Sequence, residues 1–186
     1  MADERDATGD GGDSSVSARD LAQRTGRHMY ARDHASQGLG MVLETVSPGR
    51  ACLSMRVRAD MLNGHGTCHG GFIFALADSA FAFACNSRNA VTVASACHID
   101  FIRPGAENDV LRAEAVERSL VGRSGVYDIA VSNQRGELVA LFRGKSRRIR
   151  GEVVTDGVRP LDPDAGAGQA VPRSATSNDN SSMGGT

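Results

Sequence analysis

The sequence predicts an α+β fold in which an antiparallel sheet of six strands wraps one long buried helix. Three observations carry this. Residues 72–85, FIFALADSAFAFAC, are apolar on every side of a helix, the pattern of a helix buried all round. The segment is too short to span a bilayer, which needs roughly 20 apolar residues. Stretches on both sides of it alternate apolar and polar residues with the period of two that marks half-buried strands, and Gly, Pro and Asn turn signals separate them. In order the chain reads helix, two strands, apolar helix, four strands.

Residues 1–17 are rich in Asp, Gly and Ser and are predicted to be a disordered tail, since they have too little apolar surface to form a core. Residues 18–32 place Leu21, Ala22, Thr25, Met29 and Tyr30 loosely on one face of a helix. A connecting loop is expected over 33–38 and a strand over 39–46. Ser47-Pro48-Gly49-Arg50 is a turn, and residues 51–57 alternate Ala51, Leu53, Met55 and Val57 against Cys52, Ser54 and Arg56, completing a hairpin. Beyond the apolar helix and its exit at 87–89, a strand over 91–102 ends at Arg103-Pro104-Gly105. The next, 109–120, turns Leu111, Ala113 and Ala115 inward and Arg112 and Glu114 outward. Residues 126–132 and 137–148 form the last hairpin. From Gly151 the composition shifts to Gly, Pro, Ser and Asp, which predicts a second disordered tail. The organisation is thus a tail over 1–17, one domain over 18–150 and a tail over 151–186.

Composition narrows the classes of function. A chain of 186 residues fits one domain. Its net charge of -1 offers no strongly basic face, which argues against a nucleic-acid partner. The N-terminus has no apolar run of the kind a signal peptide needs, so a cytoplasmic protein with no membrane partner is expected. The four cysteines, Cys52, Cys68, Cys85 and Cys97, have no CxxC spacing and are expected to stay reduced as small buried hydrophobes.

The chemistry concentrates in residues 63–86. A polar, Gly-rich loop (63–71) runs directly into the apolar helix, whose middle holds one carboxylate, Asp78. An unpaired buried carboxylate is costly, so Asp78 is the first candidate for a catalytic group. Gly70 and Gly71 have no side chains and leave their backbone N–H groups approachable. The N–H groups of a helix's first turn carry the positive end of its dipole, which suits a carbonyl oxygen becoming negative in acyl transfer. Eight residues, about 12 Å of rise, separate Gly70 from Asp78. Two antiparallel copies of the helix would bring Asp78 of one chain to Gly70 of the other, and a dimer with shared sites follows. Arg143, Lys145, Arg147 and Arg148 are either a solvated strand edge or a contact for phosphates, with Arg103 a further cation for that role. His65, Cys68, His69, Cys97 and His98 include metal-ligand residue types, but His65, Cys68 and His69 are too crowded to converge, and no metal is predicted.

The run NGHGTCHGGFIFALADSAF resembles the active-site segment of hotdog-fold acyl-CoA thioesterases. SACHIDFIRPG and VALFRGKSRRI resemble the phenylacetate-degradation, PaaI-type, members; together the likeness covers about residues 25–150. The resemblance implies a hotdog fold and hydrolysis of (hydroxy)phenylacetyl-CoA-like thioesters to free acid and CoA in phenylacetate catabolism, with no cofactor. It implies that Asp78 is the catalytic carboxylate, as general base or nucleophile, and that the Gly70 N–H polarises the thioester carbonyl. His69 would orient the loop or contact the thioester. Asn63 would lie by the thioester or be a plain loop-turn Asn. Beside the resemblance, Gly71 by its open backbone and Ser95 by its place after the helix are further substrate-contact candidates, and the phosphates of CoA are the ones that Arg103, Arg143 and Lys145 would meet. The resemblance further implies a homotetramer built as a dimer of dimers. Relatives of this type commonly carry Asn where this chain has Arg32, a departure that leaves the Asp78 and Gly70 pair intact. The alternatives are an acyl-CoA-binding protein without catalysis and a hotdog acyl-thioester hydratase using His69 with Asp78.

Overall fold

The computed structural model describes residues 17–155. Of the tails expected over 1–17 and 151–186, residues 1–16 and 156–186 lie outside the described residues. Helix α1 (Ala18–Tyr30) starts at Ser17, whose hydroxyl accepts from the Asp20 N–H. The stretch expected as loop contains a short helix, α2 (His34–Gly38), capped by the Asp33 carboxylate on the Ser36 N–H. This displaces the start of the first strand. Leu39 closes α2, Gly40 turns with φ +70°, and strand β1 covers Val42–Ser47 rather than beginning at residue 39.

Strand β2 (Arg50–Arg56) completes the hairpin, and the long helix α3 (Gly70–Asn86) follows. It begins two residues earlier than the apolar run because its first turn is the glycine pair itself. Strands β3 (Ala90–Phe101), β4 (Val110–Val121), β5 (Ser124–Ser132) and β6 (Leu138–Glu152) complete a six-stranded antiparallel sheet in the order β1-β2-β4-β5-β6-β3. Strand β6 passes the boundary expected at Gly151, since Ala90 pairs with Glu152 and holds the end of the strand.

The core lies between the sheet and α3. Leu53 and Met55 of β2, Leu111 and Ala113 of β4, Ile129 and Val131 of β5 and Phe142 of β6 pack on Ile73, Leu76, Ala77, Ala80 and Phe81. The inward residues expected on β2 and β4 are all buried. Gly144 is required here, because a Cβ at that position would lie 2.9 Å from the Phe81 ring. At one edge of the sheet, α1 covers β1 so closely that a Cβ on Gly26 would meet Val46 at 2.8 Å.

Within the chain helix α3 is not covered all round. Gly71, Ala75, Asp78, Ser79 and Ala82 recur at intervals of three and four, which puts them on one face, and all of them keep contact with solvent. The small residues Gly71, Ala75 and Ala82 are therefore open along the stripe that carries the carboxylate. At the other edge of the sheet, β3 pairs only with β6 among the described residues and leaves Val93, Phe101 and Ile102 exposed.

Candidate active site

The loop before α3 is built by Asn63. Its Oδ1 accepts from the N–H groups of His65 (2.9 Å) and Thr67 (3.3 Å), and its Nδ2 donates to Thr67 Oγ1 at 3.1 Å. Gly66, with φ +72°, completes the turn by donating to the Asn63 carbonyl. Asn63, a candidate for substrate contact, is thus engaged inside the loop, as Asn in a turn tends to be. Two backbone bonds anchor the loop: Cys68 N–H to the Gly105 carbonyl (2.9 Å) and His69 N–H to the Met61 carbonyl (2.8 Å).

His69 is the N-cap of α3. Its Nδ1 accepts from the Gly71 N–H at 3.0 Å, so the ring hydrogen sits on Nε2 and faces outward. An imidazole capping a helix is unusual, because Ser, Thr, Asp and Asn lead at that position. The cap removes the Gly71 amide from the set of available donors. The Gly70 N–H, in contrast, meets no acceptor among the described residues. The Phe101 ring lies beside it, where a Gly70 Cβ would come within 3.0 Å. Gly70 is therefore the amide that the fold leaves exposed at the positive end of α3.

Asp78 sits two turns further on, half-buried on the open stripe. Burial pushes its carboxyl above the usual range, and a hydrogen bond from the Cys97 thiol partly offsets that. The Cys97 Sγ donates to Asp78 Oδ1 at 3.8 Å from strand β3. Beside it, the Ser79 hydroxyl meets Ser36 Oγ at 2.9 Å, and Ser36 donates to the Asp33 carboxylate at 2.6 Å. The only hydrogen on Ser36 Oγ goes to Asp33, so Ser79 is the donor of the pair. This chain ties α2 to α3 next to the carboxylate. Sequence reasoning missed Cys97, Ser79, Ser36 and Asp33 as parts of the site; the sole local signal was the Asp33 N-cap three residues before Ser36.

The remaining candidates are not gathered around Asp78. Ser95 lies in a bulge of β3, where its hydroxyl donates to the Lys145 carbonyl at 3.0 Å. Arg103 follows β3 and donates to the Leu138 carbonyl at 3.2 Å. Arg143 and Lys145 alternate with buried Phe142, Gly144 and Ser146, so they project from the sheet face opposite to α3. Both oxygens of Asp128 engage Arg143, at 2.7 and 2.9 Å, and Oδ2 also accepts from Arg118 at 3.0 Å, so one carboxylate is shared by two guanidinium groups and the cluster keeps a positive charge. Lys145 is exposed, with no ion pair among the described residues. A cavity of about 410 Å³ on this outer face is lined by His98, Asp100, Asp128, Leu141 and Arg143, and the sheet separates it from Asp78. Arg32 is exposed between α1 and α2, its guanidinium against His28. The four cysteines are free thiols, Cys97 the least buried. Among the described residues no three His, Cys, Asp or Glu side chains gather as metal ligands.

A helix wrapped by an antiparallel sheet, with a free amide at its start and a half-buried carboxylate along it, defines the hotdog class. Residues 65–140 match the Thioesterase superfamily. Over 125 residues the chain is 51% identical to the acyl-coenzyme A thioesterase PaaI of Escherichia coli, covering 67% of this chain and 89% of that protein. The solved structure of the E. coli PaaI protein from the phenylacetic acid degradation operon superposes with a TM-score of 0.72 at 48% identity, covering 73% of this chain and 99% of that one. A mutant of the phenylacetic acid degradation protein PaaI from Thermus thermophilus superposes with a TM-score of 0.59 at 44% identity, over 61% and 97% of the two chains. This chain belongs to the thioesterase superfamily, among its PaaI-type acyl-CoA thioesterases.

Proposed function

We propose that the protein hydrolyses phenylacetyl-CoA and hydroxyphenylacetyl-CoA-like thioesters to the free acid and CoA, in phenylacetate catabolism in the cytoplasm. The observation that carries this reading is Asp78, a half-buried carboxylate on the one open stripe of an otherwise packed helix. Its raised pKa makes it a better proton acceptor than an exposed Asp while leaving it ionisable. In the reaction the Gly70 N–H receives the thioester oxygen as it turns negative. Asp78 either takes a proton from the attacking water or attacks the carbonyl carbon itself, and the C–S bond then breaks with CoA leaving as the thiolate; in the second case water cleaves the resulting acyl-aspartyl anhydride, which releases the free acid and restores the carboxylate.

Helix geometry supports a shared site. Gly70 and Asp78 are about 12 Å apart along one α3, too far to act on one carbonyl. A second copy running antiparallel supplies the missing half and covers both the open stripe and the exposed edge of β3. Two such dimers would make the tetramer. In this arrangement CoA is a substrate part, and Arg103 and, on β6, Arg143, Lys145, Arg147 and Arg148 are the candidate cations for its phosphates. The hydratase alternative loses support, because His69 Nδ1 is occupied in capping α3.

Release of free thiol from phenylacetyl-CoA, followed with a thiol reagent, tests the reading. The wild-type protein is expected to turn over, and Asp78→Asn to lose about 10²-fold or more in kcat while keeping its fold. A folded wild type that releases no thiol, while still binding the thioester, would return the protein to the class of acyl-CoA binders.

A further inference from the structure

Strand β3 is fastened to α3 at two places. At its start the Asn86 side chain donates to the Thr92 carbonyl and accepts from the Thr92 N–H, both at 2.9 Å. Further along, the Cys97 thiol reaches Asp78 Oδ1. Between these points the pairing with β6 slips by one residue. Ala94 stands opposite Ser146 and Cys97 opposite Gly144, both inward positions of β6. Three residues separate Ala94 from Cys97, and in a regular strand an odd separation puts two side chains on opposite faces. Ser95 is the extra residue, and its hydroxyl closes the bulge on the Lys145 carbonyl. Without the bulge Cys97 would point away from the helix.

We propose that Cys97 is a positioning residue for Asp78: its thiol, turned inward by the Ser95 bulge, holds Oδ1 of the carboxylate and leaves Oδ2 as the oxygen that reacts. Oδ2 has no hydrogen-bond partner among the described residues, nor is it among the buried polar atoms that lack one, so it meets solvent on the open stripe. The titratable groups facing Asp78 are Cys97 from β3 and Cys85 two turns along α3. Burial pushes both thiols up, Cys85 to about 12, so both are neutral near pH 7 and Cys97 keeps the hydrogen it donates. A donor to the ionised form holds the Asp78 pKa down against the rise due to burial. The thiol therefore fixes the rotamer of the carboxylate and extends its working range towards lower pH.

The kinetic part of this inference rests on the thioesterase reading; the contact itself does not. The test compares Cys97→Val, which keeps the volume and removes the donor, with Cys97→Ser, which keeps a donor. A carbon NMR titration of the Asp78 carboxyl in the folded apo-protein reads the contact directly. Cys97→Val should move the midpoint to higher pH, and Cys97→Ser should restore it towards wild type. In the thioesterase assay Cys97→Val should lose about three- to tenfold in kcat with little change in KM, its acid limb moving up in pH, and Cys97→Ser should recover both. An unmoved Asp78 midpoint in folded Cys97→Val overturns the proposal, as does Cys97→Ser behaving like Cys97→Val. A wild type inert towards thioesters overturns the thioesterase reading alone, and the titration still decides for Cys97.

Discussion

Asp78 stands where its charge is least welcome. Burial raises its pKa in the folded chain, so its protonated form is favoured there relative to the unfolded chain. Such a group contributes stability that is fully present below its unfolded pKa and is lost as pH rises through the folded value. Asp78→Asn, neutral at every pH, should therefore melt above wild type near pH 7. The gain should shrink to nothing below about pH 4, where the wild-type carboxyl is neutral too. Thermal melts across that range check this, and a gain independent of pH would mean that ionisation of Asp78 does not strain the fold. Asp78 was legible in the sequence because one acid in an apolar helical run has few bland explanations. Cys97 was not, since its orientation depends on a one-residue slip in β3 whose cause, a hydroxyl bonding a carbonyl 50 residues away, leaves no local pattern.

At the scale of elements, what places the site is how the two ends of α3 are tied. The first turn is set by the Asn63 loop and the His69 cap. The last is set by Asn86, by Ser87, which donates to the Ala84 carbonyl and accepts from the Gly49 N–H, and by Arg88, bound to the same Glu117 that accepts from buried Tyr127. Long elements were legible because apolar periodicity accumulates over many residues; α2, five residues long, has too little, and its capping aspartate read as part of a loop. The Asn86 side chain is buried and joins the helix end to the edge strand. Asn86→Ala would leave the Thr92 N–H and carbonyl without these partners, at a cost of about 1–3 kcal/mol. Hydrogen exchange should then show β3 losing protection from Thr92 onward while β2 and β4 keep theirs. Uniform loss over the whole sheet would mean that the clamp serves global stability rather than β3.

For the whole molecule, six strands and a central helix were legible, but not that β3 crosses to the far edge of the sheet, beyond β6. Alternation gives a strand its faces; it does not give it its neighbours. That placement puts the exposed Phe101 on an open edge, on the same face of β3 as Cys97 and so beside the open stripe on α3. A second copy would satisfy both, and the separation of Gly70 from Asp78 requires one if both act on a single carbonyl. The consequence is testable by complementation. Asp78→Asn removes the carboxylate, and Gly70→Pro removes the amide hydrogen at the first helical position, where the backbone tolerates proline and the exposed Phe101 ring has to shift to admit the new Cβ. His69, at φ -62° and ψ 132°, already has the extended backbone that a following proline favours. Each variant alone should be inactive while keeping the dimer on size exclusion. When the two are unfolded together and refolded, the mixed dimer carries both lesions in one site and none in the other. Random pairing should then restore about a quarter of wild-type activity, if the sites work independently. A mixture that contains mixed dimers and stays inactive would place both groups of each site in one chain and would require α3 to bend or break between them.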